Sequence, residues 1–226
     1  MQIVYEDNHI IVVNKEPGEI VQGDKTGDEP LLEKVKAYIK EAYAKPGAVF
    51  LGVVHRLDRP VGGLVVFART SKALARMNNM FRDGKVKKTY WAIVPRNEAS
   101  NKAAGQTIQL EHWLVRNEKQ NKSYAYDHEV KNSKHALLDY SIIGTSDRYA
   151  LAEVHLHTGR HHQIRCQLSK VGLTIKGDLK YGAPRSNPDG SISLIARSIE
   201  FVHPVSKKEI HLTAPLPDDN LWKMFV

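Results

Sequence analysis

The stretch Val53–Thr70, VVHRLDRPVGGLVVFART, places a single acid among cations between two apolar segments. Asp58 has Arg56 on one side and Arg59 on the other. On an open surface such a carboxylate forms an ion pair that contributes about 1 kcal/mol or less. In a partly desolvated pocket, burial disfavours the charged form and a nearby cation opposes that effect, so the carboxylate can remain an anion available for chemistry. The motif by itself leaves both interpretations open.

Two further segments carry groups suited to a phosphate-bearing substrate. KKTYWAIV predicts a strand with Tyr90 amid basic residues, and HTGRHHQIR predicts a strand, a turn and a helix. Thr158 is the expected cap of that helix, and Arg160, His161 and His162 follow it closely. A helix N-terminus has free N–H groups and a positive dipole, so this segment suits phosphate, although generic surface charge explains the same residues equally well.

Two other chemistries compete for these residues. His155 and His157 share one strand face, and neutral imidazoles at such spacing can bind zinc. No Glu accompanies them as an HExxH motif requires, so no metal site is predicted. A retaining glycosidase also uses a carboxylate at the anomeric carbon, but it needs a second one about 5 Å away. No second acid stands beside Asp58 in sequence, although folding could supply one.

The bulk composition narrows the class of protein. The 226 residues fit one domain or two small ones and can bury a real core, and 42% of them are hydrophobic, which is ordinary for a soluble protein. The net charge of +8 and the pI near 9.4 favour a polyanionic partner such as nucleic acid, although a basic metabolic enzyme fits the charge equally well. No apolar run reaches the length of a membrane span, and the N-terminus lacks signal-peptide features. The single Cys166 suits a reducing cytoplasm, where we expect the protein.

Hydrophobic periodicity predicts the elements that position the motifs. Helices are predicted over Pro30–Lys45, from Thr70 to a stop at Gly84, and from the Thr158 cap to a stop at Gly172. A hairpin is expected around Thr145–Arg148, and Pro95–Ser133 is expected to be mostly irregular with two strand hints. Strands outnumber helices without alternating with them. This favours an α+β fold with a mixed, largely antiparallel sheet and flanking helices, in a single domain over residues 1–226.

Taken together, the three segments resemble the motifs of the RluA-type family of RNA pseudouridine synthases. HRLDR with VGGLVVFAR is similar to the family's aspartate motif, KKTYWAIV to its tyrosine motif and TGRHHQIR to its third motif. NKEPG, GDLKYG and LTAPLP fit further family segments, so the resemblance covers nearly the whole chain. The chain departs from common family residues at Glu16, Gly62 and His161. Because the motifs begin so early in the sequence, we expect no small RNA-binding domain of the kind that many members carry in front of them.

The resemblance implies a role for each motif residue. Asp58 would be the carboxylate that acts at C1′ of a uridine, by attack or by assisting elimination to a glycal. Arg165 is the expected partner of Asp58, and Tyr90 the active-site tyrosine that stacks on uracil or moves a proton at the sugar. Arg56 would fill the space left by the everted nucleotide. A phosphate contact or a plain exposed charge explains Arg56 about equally well. Ile164 would line the pocket, and Arg160 and His162 would lie near phosphates.

The resemblance also implies the reaction and its partners. We expect an isomerase that converts specific uridines of structured RNA, ribosomal or transfer, to pseudouridine without a cofactor. No obligatory protein partner is evident, and a catalytically inactive RNA-binding relative is the alternative. No single residue encodes which RNA or which uridine is the substrate, because RNA is read through its shape and its splayed-out bases.

Overall fold

The computed structural model describes residues 1–225, which fall into two compact units. The first unit consists of Met1–Lys87 and Ala196–Pro215, and the second of Lys88–Ile195 together with the chain from Leu216 onward. Strand β10 crosses the boundary, because Leu194 and Ile195 belong to the second unit and the rest of the strand to the first. The expectation of a single catalytic domain stays a prediction.

Eleven strands and five α-helices are formed within the described residues. In chain order they are β1 (Gln2–Glu6), β2 (Ile10–Lys15), α1 (Leu31–Ala42), β3 (Gly52–Val53), β4 (Gly62–Ala68), α2 (Ser71–Arg82), β5 (Lys87–Pro95), α3 (Glu98–Ala103), β6 (Thr107–Asn117), β7 (Lys122–Tyr126), β8 (Lys134–Thr145), β9 (Tyr149–Leu156), α4 (Gln163–Lys170), β10 (Leu194–Val202), β11 (Glu209–Thr213) and α5 (Asn220–Lys223). A single 3-10 turn at Leu179–Tyr181 precedes β10. The predicted α+β class is confirmed, since strands predominate and do not alternate regularly with helices.

In the first unit, an antiparallel ladder of buried strands carries the core. β2 pairs with β1 and with β4, β3 adds to β4, and β11 adds to β10. All residues of β2 and β4 are buried, and helix α1 covers them with Leu31, Val35 and Ile39. Gly63 has φ of 111°, and a Cβ there would come within 2.8 Å of Ala196 backbone atoms, so only glycine allows this approach.

In the second unit, the strand order β5-β9-β8-β6-β7 is antiparallel throughout. Strands β8 and β9 form the predicted hairpin around Thr145–Arg148. The alternating burial of β6 shows that this strand has one buried face. The segment Pro95–Ser133 is therefore more regular than predicted, because its polar outward residues concealed the period-two pattern of β6.

One helix boundary was predicted wrongly. α4 begins at Gln163 rather than after Thr158, and its N-cap is His162 in a left-handed conformation. The Thr158 hydroxyl does not cap the helix but donates to the Gln163 side chain (2.8 Å), which also accepts from Arg160 N (2.9 Å). These bonds hold Thr158–His162 as a loop. Separately, none of the helices within residues 1–225 is long and apolar enough to cross a membrane.

Candidate active site

The loop between β3 and β4 presents Asp58 in the first unit. Asp58 is half-buried, Arg56 is exposed, and the exposed Arg59 pairs with Asp28. The backbone carbonyl of Asp58 accepts from Val61 N (3.0 Å), which closes a turn just after the acid. This loop therefore offers a carboxylate on a fixed turn, with a solvent-facing guanidinium two residues before it.

His55 fixes the start of this loop. Its Nε2 accepts a hydrogen bond from Val66 N on β4 (3.1 Å), and its ring stacks on Phe81 of α2 at 5.0 Å between centroids. Because Nε2 is an acceptor, the Nδ1 atom carries the proton in the neutral ring. His55 thus attaches the loop to its neighbouring strand and helix.

Lys15 fixes the other side of the loop, and sequence reasoning missed it. Its ammonium donates to the carbonyls of Arg59 (3.1 Å) and Val61 (2.7 Å), and the residue is 1% exposed. Burial lowers the pKa of Lys15 to about 8, while the carboxylates of Glu19 and Asp58 act in the opposite direction. The sequence signal was a charged residue at the end of a mostly apolar strand, inside NKEPG.

In the second unit, Tyr90 lies on the buried face of the sheet. It is opposite Val154 on β9 and is 8% exposed. Its neighbour Trp91 has its side chain on the other face, where its indole N–H donates to Glu153 (3.0 Å). The strand pairings place Tyr90 on the same sheet face as Leu114 of β6. Helix α4 packs its Cys166 with Leu114, so α4 covers the face that carries the tyrosine ring.

Arg165 lies on α4 and is held by a carboxylate that sequence reasoning did not single out. Its Nε and one terminal nitrogen bond both oxygens of Asp178 at 2.7 and 2.8 Å. Arg165 is 5% exposed and Asp178 is 1% exposed, and the guanidinium also lies 5.1 Å from the Tyr181 ring centroid. The bidentate geometry fixes the guanidinium plane. The signal for Asp178 was GDLKYG, which had entered only as part of the resemblance.

His162 is a buried neutral ring rather than an exposed cation. Burial lowers its pKa to about 2, and the positive charge of Arg165 acts in the same direction. Its Nδ1 lies 3.0 Å from the Tyr181 hydroxyl, which accepts from Ser123 N (2.8 Å). Burial raises the pKa of Tyr181, so the hydroxyl keeps its proton and donates it to His162. This assigns the ring proton of His162 to Nε2.

The other predicted residues of this segment are divided between surface and core. Arg160 is exposed, and its Nε donates to the backbone carbonyl of His135 (2.8 Å). Ile164 is buried on α4. Arg160, His162, Ile164 and Arg165 thus belong to one loop–helix segment of the second unit.

The histidines considered for zinc form hydrogen bonds to carboxylates. His157 Nε2 lies 2.6 Å from Asp139, and His155 Nε2 lies 3.2 Å from Glu153. Within residues 1–225, no three histidine, cysteine or acidic side chains form a group that could hold a metal ion. A carboxylate partner accounts for the position of each ring.

Comparisons with known proteins identify the family. The RNA pseudouridylate synthase family model matches residues 9–170. An uncharacterised RNA pseudouridine synthase of Chlorobaculum parvum is 32% identical over 96% of this chain and 71% of its own length. The ribosomal large subunit pseudouridine synthase D of Pseudomonas aeruginosa is 31% identical over 98% of this chain and 70% of its own.

A solved structure supports the fold. Human RNA pseudouridylate synthase domain containing 4 has a TM-score of 0.77 and 23% identity, and the match covers 96% of this chain and 89% of that one. The matched family segment contains the Asp58 loop, the Tyr90 strand and Arg165. The chain belongs to the RluA-type family of RNA pseudouridine synthases, which are isomerases that act on RNA.

Proposed function

We propose that this chain converts uridine to pseudouridine in ribosomal RNA, with Asp58 acting at C1′ of the target nucleotide. The observation that carries the proposal is that both charged motif residues are on fixed supports. Lys15 and His55 tie down the Asp58 loop, and Asp178 holds the Arg165 guanidinium plane. The relative from P. aeruginosa, named for the large ribosomal subunit, supports ribosomal over transfer RNA. The alternative of an inactive RNA-binding relative gains no support, and the cytoplasmic location remains a prediction.

The proposed reaction is an isomerisation that leaves the composition of the nucleotide unchanged. The bond from N1 of uracil to C1′ breaks, the base turns, and a bond from C5 to C1′ forms. The proton on C5 leaves to solvent and N1 gains a proton. Asp58 either attacks C1′ to form an ester or assists elimination to a glycal, and both routes need it as an anion.

The other residues act around this carboxylate in the proposal. Arg165, whose charge is permanent, is the proposed partner of the Asp58 carboxylate, and Tyr90 stacks on the base or moves a proton at the sugar. Arg56, which is exposed, occupies the vacancy of the flipped nucleotide and so offsets part of the unstacking cost of a few kcal/mol. Ile164 packs beside the uracil, while Arg160 contacts phosphate. His162, being neutral, contributes as a hydrogen-bonding group.

A tritium-release assay tests the function. A 23S ribosomal RNA transcript carrying 5-tritiated uridine should release tritium with the wild-type chain, and a pool of transfer RNA transcripts should not. Asp58→Asn should lower release by at least about 10³-fold, because it removes the group that acts at C1′. RNA binding should survive, with the same steep loss of affinity as salt rises.

The controls separate chemistry from binding. Asp28→Asn removes an exposed acid that pairs with Arg59 next to the same loop, and its release rate should stay within twofold of wild type. Full release by Asp58→Asn would contradict its role. Tritium release from the transfer RNA transcripts alone would show that the substrate is transfer RNA rather than ribosomal RNA.

A further inference from the structure

Lys88 stands two residues before Tyr90 on β5, and the mechanism above does not use it. Residues two apart on a strand face the same way, so Lys88 shares the sheet face of Tyr90. Lys88 is half-buried, and burial lowers its pKa. An ammonium held in such a place gains more from an incoming anion than one that is fully hydrated.

Gly159, in the loop before α4, lies directly beside this ammonium. A Cβ built on Gly159 would come within 3.8 Å of Lys88 Nζ, an ordinary van der Waals contact, and would meet no other atom within 4 Å. The φ angle of Gly159 is not in the left-handed range, so its backbone does not require glycine. Because residue 159 carries no side chain, the backbone of this loop can come close to a ligand beside Lys88 Nζ.

We propose that Lys88 Nζ, reached across Gly159, binds a backbone phosphate of the RNA next to the target uridine. This rests on the proposed function, since it takes the Tyr90 face as the face that meets the nucleotide. Phosphate is the anion that an RNA substrate always presents beside a base, and lysine binds it as a point charge. The loop around Gly159 also carries the exposed Arg160.

The neighbouring lysine provides a matched control. Lys87 begins β5, its side chain is 81% exposed, and its Nζ lies 3.8 Å from Glu200. Lys87→Met and Lys88→Met remove the same charge from adjacent positions. A general electrostatic attraction to RNA would weaken equally in both variants, whereas a specific contact would be lost in one only.

The test measures binding of the full chain to a 23S ribosomal RNA transcript at several salt concentrations, in the Asp58→Asn background so that no turnover occurs. Lys88→Met should raise Kd roughly 10-fold and reduce the slope of log K against log salt by about 0.7 to 0.9, the loss of one phosphate contact. Lys87→Met should change Kd less than twofold and leave the slope within error. Equal slopes for the two variants would overturn the proposal.

Gly159→Ala keeps the test independent of any folding defect in Lys88→Met. The added methyl group fits without strain and covers the approach to the ammonium, so it should lower the salt slope in the same direction. An unchanged slope in Gly159→Ala would also count against the contact. Tritium release by the otherwise wild-type chain is measured in parallel: if it fails, the proposed function is wrong, and if it succeeds while the slopes coincide, only the Lys88 contact is wrong.

Discussion

Each unit buries a cation that belongs to the candidate site, Lys15 in the first and Arg165 in the second, and the two cations are stabilised in different ways. Lys15 in the first unit is surrounded by backbone carbonyls, which are neutral dipoles, and its pKa falls to about 8. Arg165 in the second unit has the full negative charge of Asp178 on two of its nitrogens. Since arginine does not deprotonate in proteins, the support in the second unit is permanent, whereas the support of the Asp58 loop depends on pH.

The largest expected effect comes from removing the charge that balances Arg165. Asp178→Asn leaves the guanidinium buried beside a neutral amide, and we expect a loss of about 3–5 kcal/mol in the free energy of unfolding. Urea denaturation at pH 7 measures this.

The same substitution at the surface is the control for that comparison. Asp28→Asn, which breaks the exposed pair with Arg59, should lower the free energy of unfolding far less than Asp178→Asn does, because solvent screens that pair. Equal losses in the two variants would mean that burial does not distinguish these pairs. The double variant Arg165→Met with Asp178→Leu should be less destabilised than Asp178→Asn, because no unpaired charge remains.

The pH dependence of Lys15 gives a smaller effect. Below pH 8 the lysine is charged in both the folded and the unfolded chain, and the folded state carries the whole cost of burial. Between pH 8 and the ordinary value of 10.5 only the unfolded chain retains the proton, so stability rises with pH, by up to about 3 kcal/mol. Urea denaturation of wild type and Lys15→Met at pH 7.5, 9 and 10.5 measures the difference.

The free energy of unfolding of wild type, minus that of Lys15→Met, should increase as pH rises. Other groups titrate in this range, but they are common to both proteins and cancel in the comparison. A difference that stays constant from pH 7.5 to 10.5 would contradict the effect of burial on Lys15.

His162 sharpens the comparison on the acid side. Its pKa near 2 lies below the ordinary 6.5, so between these values the unfolded chain binds a proton at this histidine and the folded chain does not. The contribution of His162 to the free energy of unfolding is therefore constant above pH 6.5 and falls by about 1.4 kcal/mol for each pH unit below it. Between pH 7 and 5 the advantage of wild type over His162→Gln should therefore shrink by about 2 kcal/mol in urea denaturation. An advantage that grows toward pH 5 would show that the folded protein accepts the proton.

Local patterns predicted the elements that depend on local chemistry. α2 begins after its predicted cap Thr70, whose hydroxyl accepts from Ala73 N, and α1 lies within the predicted range with Pro30 at its start. Periodicity and caps act over a few residues, so they are readable in a single sequence. The family was predictable for a related reason, since its three motifs are short and their order along the chain needs no knowledge of tertiary contacts.

Contacts between distant segments were not predictable in the same way. Nothing near Lys15 in sequence indicates that its ammonium reaches carbonyls 44 and 46 residues away. Asp178 meets Arg165 across a loop that has no regular pattern. These features depend on tertiary pairing, to which helix and strand propensities do not respond.

The passage of β10 from one unit into the other has a consequence for biosynthesis. The first unit needs residues 196–215, which supply most of β10 and all of β11, and the backbone of Ala196 fills the space beside Gly63. A nascent chain that has emerged only as far as Ile195 has every strand of the second unit but lacks two strands of the first. The loop that bears Asp58 can thus reach its finished setting only after translation has passed the segment that ends at Pro215.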